Sequence, residues 1–499
     1  MAPLCSWRYC SPAPTCQQHT LQCLLGLPRL SHRLARACTA AEGLRGRRRA
    51  RIMGCRCIAE TPGAIRAQDS EQSGHVAPAV EIVLRLQVIP SISQVKQADW
   101  DACATGSGEV NPFLLWAFLN ALEESGSAVQ KQGWLAQHVL VYDDSTSELM
   151  GCVPLYLKTH SYGEYVFDHS WASTHSRCGI AYYPKLQSCV PFTPVTGNRL
   201  LIKPGIKAAA VTKALAKALL EITVDGAIHC VAGVFAASLS AASVPADQFA
   251  VSSLHLTFNT VDEANALAQL GYLQRSGIQY HWENRGYTTF EDFLADLRQS
   301  KRKNIRQERK SVANAGLRLR RLTGQDIKPA HWEAFYQGYI NTTDRKWGQA
   351  YLTHDFFHCL GKAMPEKVML VIAEEDNANA TVVAGALNLI GSDALFGRNW
   401  GCTYGSAIKN LHFELCYYQA IEAAIELGLS RVEAGAQGEH KIQRGYLPSL
   451  TYSSHYIRDA RVSAAIEDFL RRERYQVMYT MDSIRQQASP FKAPAAAKL

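Results

Sequence analysis

Apolar positions along the chain follow two different periods. Short apolar runs of strand length occur from Val80 to Ile89, in WLAQHVLVYDD and LMGCVPLYLK, and again in KVMLVIAEED and TVVAGALNLIG. Runs of this length, bounded by polar turns, are strand signals, and each of the last two pairs reads as a hairpin. The second strand of each hairpin carries a glycine near its start, Gly151 and Gly385. Helical periods appear from Pro112 to Glu124, from Lys207 to Val224 and from Leu411 to Leu429. In the last, Leu411, Leu415, Tyr418, Ile421 and Ile425 step by 4, 3, 3 and 4 residues along one face, and Gly428 falls where a helix ends.

The same order of elements occurs twice. In each half a hairpin leads to another strand (around Tyr165, around Phe396), then to a long helix and a strand. A short helical stretch and a last strand follow, Ile278 to Glu283 in the first half and LTYSSHYI in the second. Two copies of one α+β unit explain this pattern. The expected organisation is a linker over residues 61–79, a first unit over 80–286, a capped basic helix over 287–316 and a second unit over 317–499. An Ala/Ser-rich stretch around Ala236 to Ala246 reads as a surface loop in the first unit.

The helix between the units begins with a capping box, Thr288 with Glu291, and an apolar face of Phe290, Phe293, Leu294 and Leu297. Its continuation holds Arg298, Lys301, Arg302, Lys303, Arg306, Arg309 and Lys310 against Glu308 alone. Arg298, Arg302, Arg306 and Arg309 fall on one side. This is either a solvated face or a phosphate-binding ridge, for which RNA has the matching size.

Charge sharpens that point. Ten of the 52 basic residues but only two of the 44 acids lie in residues 1–60, so the remainder is balanced at 42 of each. The net charge of +8 therefore belongs to the N-terminal segment, whose Arg-rich, acid-poor, Ser/Thr/Ala-containing composition is that of an organelle transit peptide. LRGRRRAR within it also fits a nucleic-acid or nuclear-import patch. The expected compartment is an organelle, the chloroplast ahead of the mitochondrion. No apolar run is long enough to span a bilayer. Cysteines beyond residue 60 lack CxxC spacing, which predicts reduced structural thiols with no zinc site or disulfide framework.

The densest chemistry lies in EAGAQGEHKIQRGY, Glu433 to Tyr446, following a predicted strand. Acyl transfer to an amine needs a proton acceptor and a partner for the developing oxyanion. Glu439 and His440 have the residue types for the first task. Lys441 and Arg444 suit the second, or a grip on a donor phosphate; a salt-bridged helix start is the alternative for Glu439 to Arg444. Asp168, His169 and Trp171 follow a strand of the first half, as an acceptor pocket or a hydrogen-bonded turn. Lys203 and Lys207 at a helix start suit phosphate or solvent.

NPFLLWAFLNALEESG, PLYLKTHSYGEYVFDHSWA, YYPKLQ, PFTPVTGNRLL, SKRKNIRQERK, FGRNWG, FELCYYQAIEAAIELGL and EAGAQGEHKIQRGYLP together resemble the FemAB-like family of the GNAT acyltransferase superfamily, from about Asp99 to about Tyr456. The resemblance implies a mixed α/β chain of tandem GNAT-like domains, with donor and acceptor meeting where the fourth and fifth strands of a sheet splay. Arg398, Asn399, Trp400, Gln437, Glu439, His440 and Lys441 then line one cleft of the second domain, although Arg398 beside Trp400 also fits a stacked structural arginine. The implied donor is acyl-CoA or aminoacyl-tRNA, without a metal, and the acceptor carries an amine; tRNA is then a partner. A clear coenzyme A loop is missing, with Gly401–Gly405 a weak substitute. A CoA-dependent N-acetyltransferase and a non-catalytic RNA or glycan-peptide binding module are the alternatives.

Overall fold

The structure, a computed structural model, describes residues 56–57, 82–205, 207–225, 251–346, 350–403, 408–435 and 438–492. Gln437, the Ala/Ser-rich stretch, the linker and nearly all of the Arg-rich segment lie outside the described residues. Within that segment only Arg56–Cys57 is described, as a two-residue strand along Ile82–Ile89. No described helix is long and apolar enough to cross a membrane.

The repeat is visible in the pairing. In the first half Lys185–Ser188 runs antiparallel to Leu155–Lys158 and parallel to Ser253–Asn259. In the second half Ala394–Cys402 runs antiparallel to Val382–Ile390 and parallel to Arg431–Glu433. Each parallel pair is joined through a long helical connection, Ala208–Asp225 in one half and Leu411–Glu426 in the other, as a parallel crossover requires.

The two halves share one sheet of 11 strands because their last strands are exchanged. Leu273–Glu283 of the first half lies between Arg431–Glu433 and Leu447–Ile457, and Leu447–Ile457 of the second half pairs with Ser253–Asn259. A second sheet of five strands is built around Ile82–Ile89, His138–Asp143, Leu149–Val153 and Leu201–Ile202. The first hairpin serves both sheets: its strands break after Ala136 and Val153, so that Trp134–Ala136 and Leu155–Lys158 join the large sheet. Its counterpart, Val368–Glu375 with Val382–Ile390, stays in one sheet.

Three local expectations are corrected. The capping box is formed by Thr289 and Asp292, one residue after Thr288 and Glu291. The basic segment is a separate helix, Gln299–Ala313, because Leu297 and Arg298 adopt extended backbone and end the preceding helix, Phe290–Asp296. The helix from Leu411 carries a π-helical turn over Glu414–Tyr418, which inserts an extra residue per turn and brings Glu414, Tyr417 and Tyr418 all inside.

Candidate active site: two notches and two lysines

In the second half the parallel ladder ends at Phe396 opposite Glu433. Beyond that pair the strands part. A bulge sets what faces the opening: Gly397 pairs with Asn388 and Asn399 with Leu387, leaving Arg398 as the extra residue. The side-chain alternation is thereby reset. Phe396, Arg398 and Asn399 face the core that contains Phe113, whereas Trp400 packs on the opposite core, with Leu415 and Cys402. The expected single cleft holding Arg398 and Trp400 together is therefore not formed.

Arg398 is buried. Its guanidinium lies 4.7 Å from the Phe113 ring centre and 5.4 Å from that of Phe396, and Nη1 donates to the Gly397 carbonyl at 3.0 Å. Glu433 is 3.7 Å away, an ion pair too long for a hydrogen bond, so Nε and Nη2 and the facing Oε2 of Glu433 find no hydrogen-bond partner among the described residues. Burial lowers the Arg398 pKa to about 10, which still leaves it a cation at neutral pH.

Lys441 enters from the 3-10 turn Glu439–Arg444. The turn follows Gly438, whose φ of 119° and whose approach to the His440 ring, 2.5 Å from where a Cβ would sit, exclude a side chain. Lys441 is only 2% exposed and its Nζ donates to the Gly435 carbonyl at 3.1 Å. Burial, reinforced by Arg398, lowers its pKa to about 7. At neutral pH it therefore divides between amine and ammonium.

The remaining residues of the turn are placed differently. Glu439 is exposed. The His440 Nε2 is 2.9 Å from the Tyr417 hydroxyl, and its ring lies beside those of Phe413 and His412. His412 also meets Trp400 edge-on at 5.1 Å, so an aromatic row runs from Trp400 through His412 to Tyr417 and His440. Arg444 is consumed by structure: it stacks 3.4 Å over Phe413, donates to the His440 carbonyl and pairs with Glu308 at 2.7 Å. Tyr418 donates to the same Glu308 carboxylate. The one acid of the basic helix thus docks that helix onto the turn.

The expected ridge is divided as well. Arg309 turns inward to Glu414 and Glu422, at 3.1 and 3.0 Å, and covers Phe290. Arg298 donates to the Phe491 carbonyl and Lys301 to Gln443. Arg302 reaches back to the Ala295 carbonyl, and Arg306 makes an exposed pair with Glu291. Lys303, Arg306 and Lys310 remain on the surface.

The corresponding notch of the first half is filled. Its parallel ladder ends at Ser188 opposite Leu256, and segment 189–199 then folds back across the opening. The Gly197 amide donates to the Phe258 carbonyl. Arg199, fully buried, donates from Nε to Thr257, from Nη1 to Gly197 and from Nη2 to Val195, all through carbonyl oxygens at 2.8, 3.0 and 2.6 Å. Glu263 accepts the Arg199 and Leu200 amides beneath it.

Beside the filled notch sits a buried polar network of which the sequence pattern marks only Asp168. Lys185 pairs with Glu164 at 2.6 Å and with Asp168, and Tyr182 donates to Asp168 at 2.5 Å. Asp168 is therefore an ion-pair partner, while His169 is exposed and Trp171 is packed in the core. Lys158 lies 3.4 Å over the Trp134 ring, and burial lowers its pKa to about 7. Alternate buried polar residues on strands around Lys158, Lys185 and Gln187 are the signal that could have found it. Lys203 and Lys207 pair with Glu148 and Asp143 rather than standing free for a phosphate.

Two parallel strands part in each half, with a long helix between them in sequence, so one mixed α/β unit occurs twice in the chain. The chain belongs to the FemAB-like family, described as peptidoglycan biosynthesis/recognition, whose model matches residues 91–493. Similar solved structures include FemX (11% identical, TM-score 0.44, 75% of this chain and 98% of that one) and a tandem GNAT protein from the clavulanic acid biosynthesis pathway (12%, 0.39, 75% and 99%). L-PGS from Bacillus licheniformis is also similar (10%, 0.40, 73% and 97%). A comparison with curated protein sequences gives no significant match.

Proposed function

We propose that the chain transfers an acyl or aminoacyl group to an amine in the notch beyond Phe396 and Glu433. One observation carries the reading: two cations with buried side chains, Arg398 two residues beyond Phe396 and Lys441 on the Gly435 carbonyl two residues beyond Glu433, flank the place where the strands part, and only Lys441 titrates near neutrality. In this reading Lys441, as free amine, accepts the proton that the attacking ammonium or amine must lose; a group whose pKa lies near the working pH is suited to this. Arg398, a cation at neutral pH whose Nε and Nη2 lack partners among the described residues, meets the negative charge that develops on the carbonyl oxygen. These roles move the cation from Lys441 to Arg398 and the base from Glu439 and His440 to Lys441.

The donor is acyl-CoA or aminoacyl-tRNA. The surface cations Lys303, Arg306 and Lys310 favour the tRNA, and the same reading includes import of the chain into an organelle, the chloroplast first. The test is to incubate the purified full-length chain with an acyl-CoA series and with charged total tRNA, each with amine acceptors, and to detect new amides by mass spectrometry. Amide formation lost in Lys441→Met supports the reading. Amides formed equally by that variant would remove Lys441 from the proton transfer, whereas amides formed by neither protein with any donor, while RNA or glycan-peptide still binds, would favour the binding module instead.

A further inference from the structure

Away from both notches, two histidines and a glutamate converge on one point. The helix His354–Ala363 starts at the Thr353 cap, whose side chain accepts the Phe356 amide. Its inner face, Phe356, Phe357 and Leu360, is buried. His354 and His358, one turn apart, share the outer face. Glu333 approaches from the neighbouring helix, Pro329–Lys346. Its Oε1 lies 2.7 Å from the Nε2 of His354 and 3.0 Å from the Nε2 of His358, and the imidazole centres are 4.7 Å apart. The three candidate donor atoms all fall within 4.8 Å of one another.

We propose that Glu333, His354 and His358 form a site for a borderline divalent cation, zinc first, that ties the two helices together. Three features point this way. Two ring nitrogens aim at a single carboxylate oxygen, although one oxygen and two imidazoles are also a common ligand set. Ligands at about 2.0–2.2 Å from a tetrahedral zinc lie about 3.3 Å apart, so a small outward movement of the three side chains admits the ion. The Nδ1 of His354 is 3.2 Å from an Asp355 carboxylate oxygen, the outer partner that fixes the tautomer of a metal-binding imidazole and turns its Nε2 lone pair toward the metal.

Two neutral imidazoles and one carboxylate select zinc, nickel or copper over magnesium or calcium, which prefer all-oxygen sets. The side chains are a third to a half exposed, so water has access to complete the shell. No cysteine pattern marks this site in the sequence; its signal is His-x3-His on a helix, with a ligand supplied by another helix. The tied helix also carries Phe356 and Leu360, which line a small cavity together with Arg398 and Asn399.

The test uses full-length protein stripped with chelator and dialysed against micromolar zinc, with bound metal counted per chain by elemental mass spectrometry and affinity measured against a chromophoric chelator. One zinc per chain is expected, weakened more than about tenfold in His358→Gln and, separately, in Glu333→Gln. Asp355→Asn is expected to weaken it about tenfold through the outer partner. Far-UV circular dichroism verifies that each variant is folded. No zinc retained at micromolar concentration, or the same zinc held with the same affinity by both ligand variants, would overturn the site.

Discussion

The two notches of this protein arise from the same strand pairing and end in opposite states. In the first, an arginine is buried with its donors directed onto three carbonyls of the surrounding loop and strand. In the second, an arginine whose side chain is 6% exposed keeps donors without partners among the described residues and faces a carboxylate beyond hydrogen-bond distance. Buried polar groups are ordinarily satisfied, and one that is not costs stability. The difference teaches that burial of a charge does not by itself identify a site: Arg199 is a strut whose donors are taken up, whereas Arg398 keeps hydrogen-bonding capacity that the proposed transfer would use.

Breaking the strut gives the largest expected effect. Arg199→Ala takes the guanidinium donors from the buried Thr257 and Val195 carbonyls and the part-buried Gly197 carbonyl and leaves a cavity, and is expected to cost about 3–5 kcal/mol. Urea denaturation measures it; a loss below about 1 kcal/mol would remove the distinction between the notches. Lys441→Met, by contrast, removes a buried ammonium with one hydrogen bond and is expected to change stability by only about 1 kcal/mol at pH 7, while lowering turnover ~10²- to 10⁴-fold. If both variants unfold to a similar extent, Lys441 is also structural.

Stability against pH sharpens the comparison further. Lys441 and Lys158 each have a folded pKa of about 7, below the ordinary value near 10.4 of an unfolded lysine. Between those values the unfolded chain binds protons that the folded chain does not, so stability rises with pH across this window, by at most about 1.4 kcal/mol per unit for each lysine. Unfolding free energies at pH 7.5, 8.5 and 9.5 are expected to rise in the wild type and to rise less steeply in Lys441→Met. An unchanged slope would mean that Lys441 keeps an ordinary pKa.

Much of this architecture is legible in the sequence, because strand and helix periods are local. The doubled order of elements follows from runs such as KVMLVIAEED and from the face Leu411, Leu415, Tyr418, Ile421, Ile425. The exchange of Leu273–Glu283 with Leu447–Ile457 is not, since nothing in a strand's own pattern names its neighbours. Nor is the bulge at Arg398, which alone separates Arg398 from Trp400. Thr288 and Thr289 are each followed by an acid three residues on, so the pattern marks the helix but leaves its cap open to a shift of one residue. Arg444 and Arg309 have the right residue types for binding, but Glu308, Glu414 and Glu422, distant in sequence, claim them.

The smaller effects separate the inner from the outer arginines of the basic helix. Arg309→Gln removes pairs to Glu414 and Glu422 and is expected to destabilise by about 1–2 kcal/mol without changing the salt dependence of RNA binding. Arg302→Gln with Arg306→Gln is expected to leave stability nearly unchanged and to reduce the salt slope by about one for each phosphate no longer neutralised, measured by filter binding at several salt concentrations. If the wild type shows no RNA affinity at low salt, acyl-CoA moves ahead of aminoacyl-tRNA as donor.

The pH dependence of amine acylation, measured at saturating donor and acceptor, bears most directly on the role of the second notch. With Lys441 as proton acceptor, wild-type turnover is expected to rise with pH through a midpoint near 7, the value at which Lys441 becomes an amine. Lys441→Met is expected to lose that limb together with most of the rate. Turnover retained in Lys441→Met, with the limb near pH 7 unchanged, would contradict the assignment and place the proton transfer elsewhere.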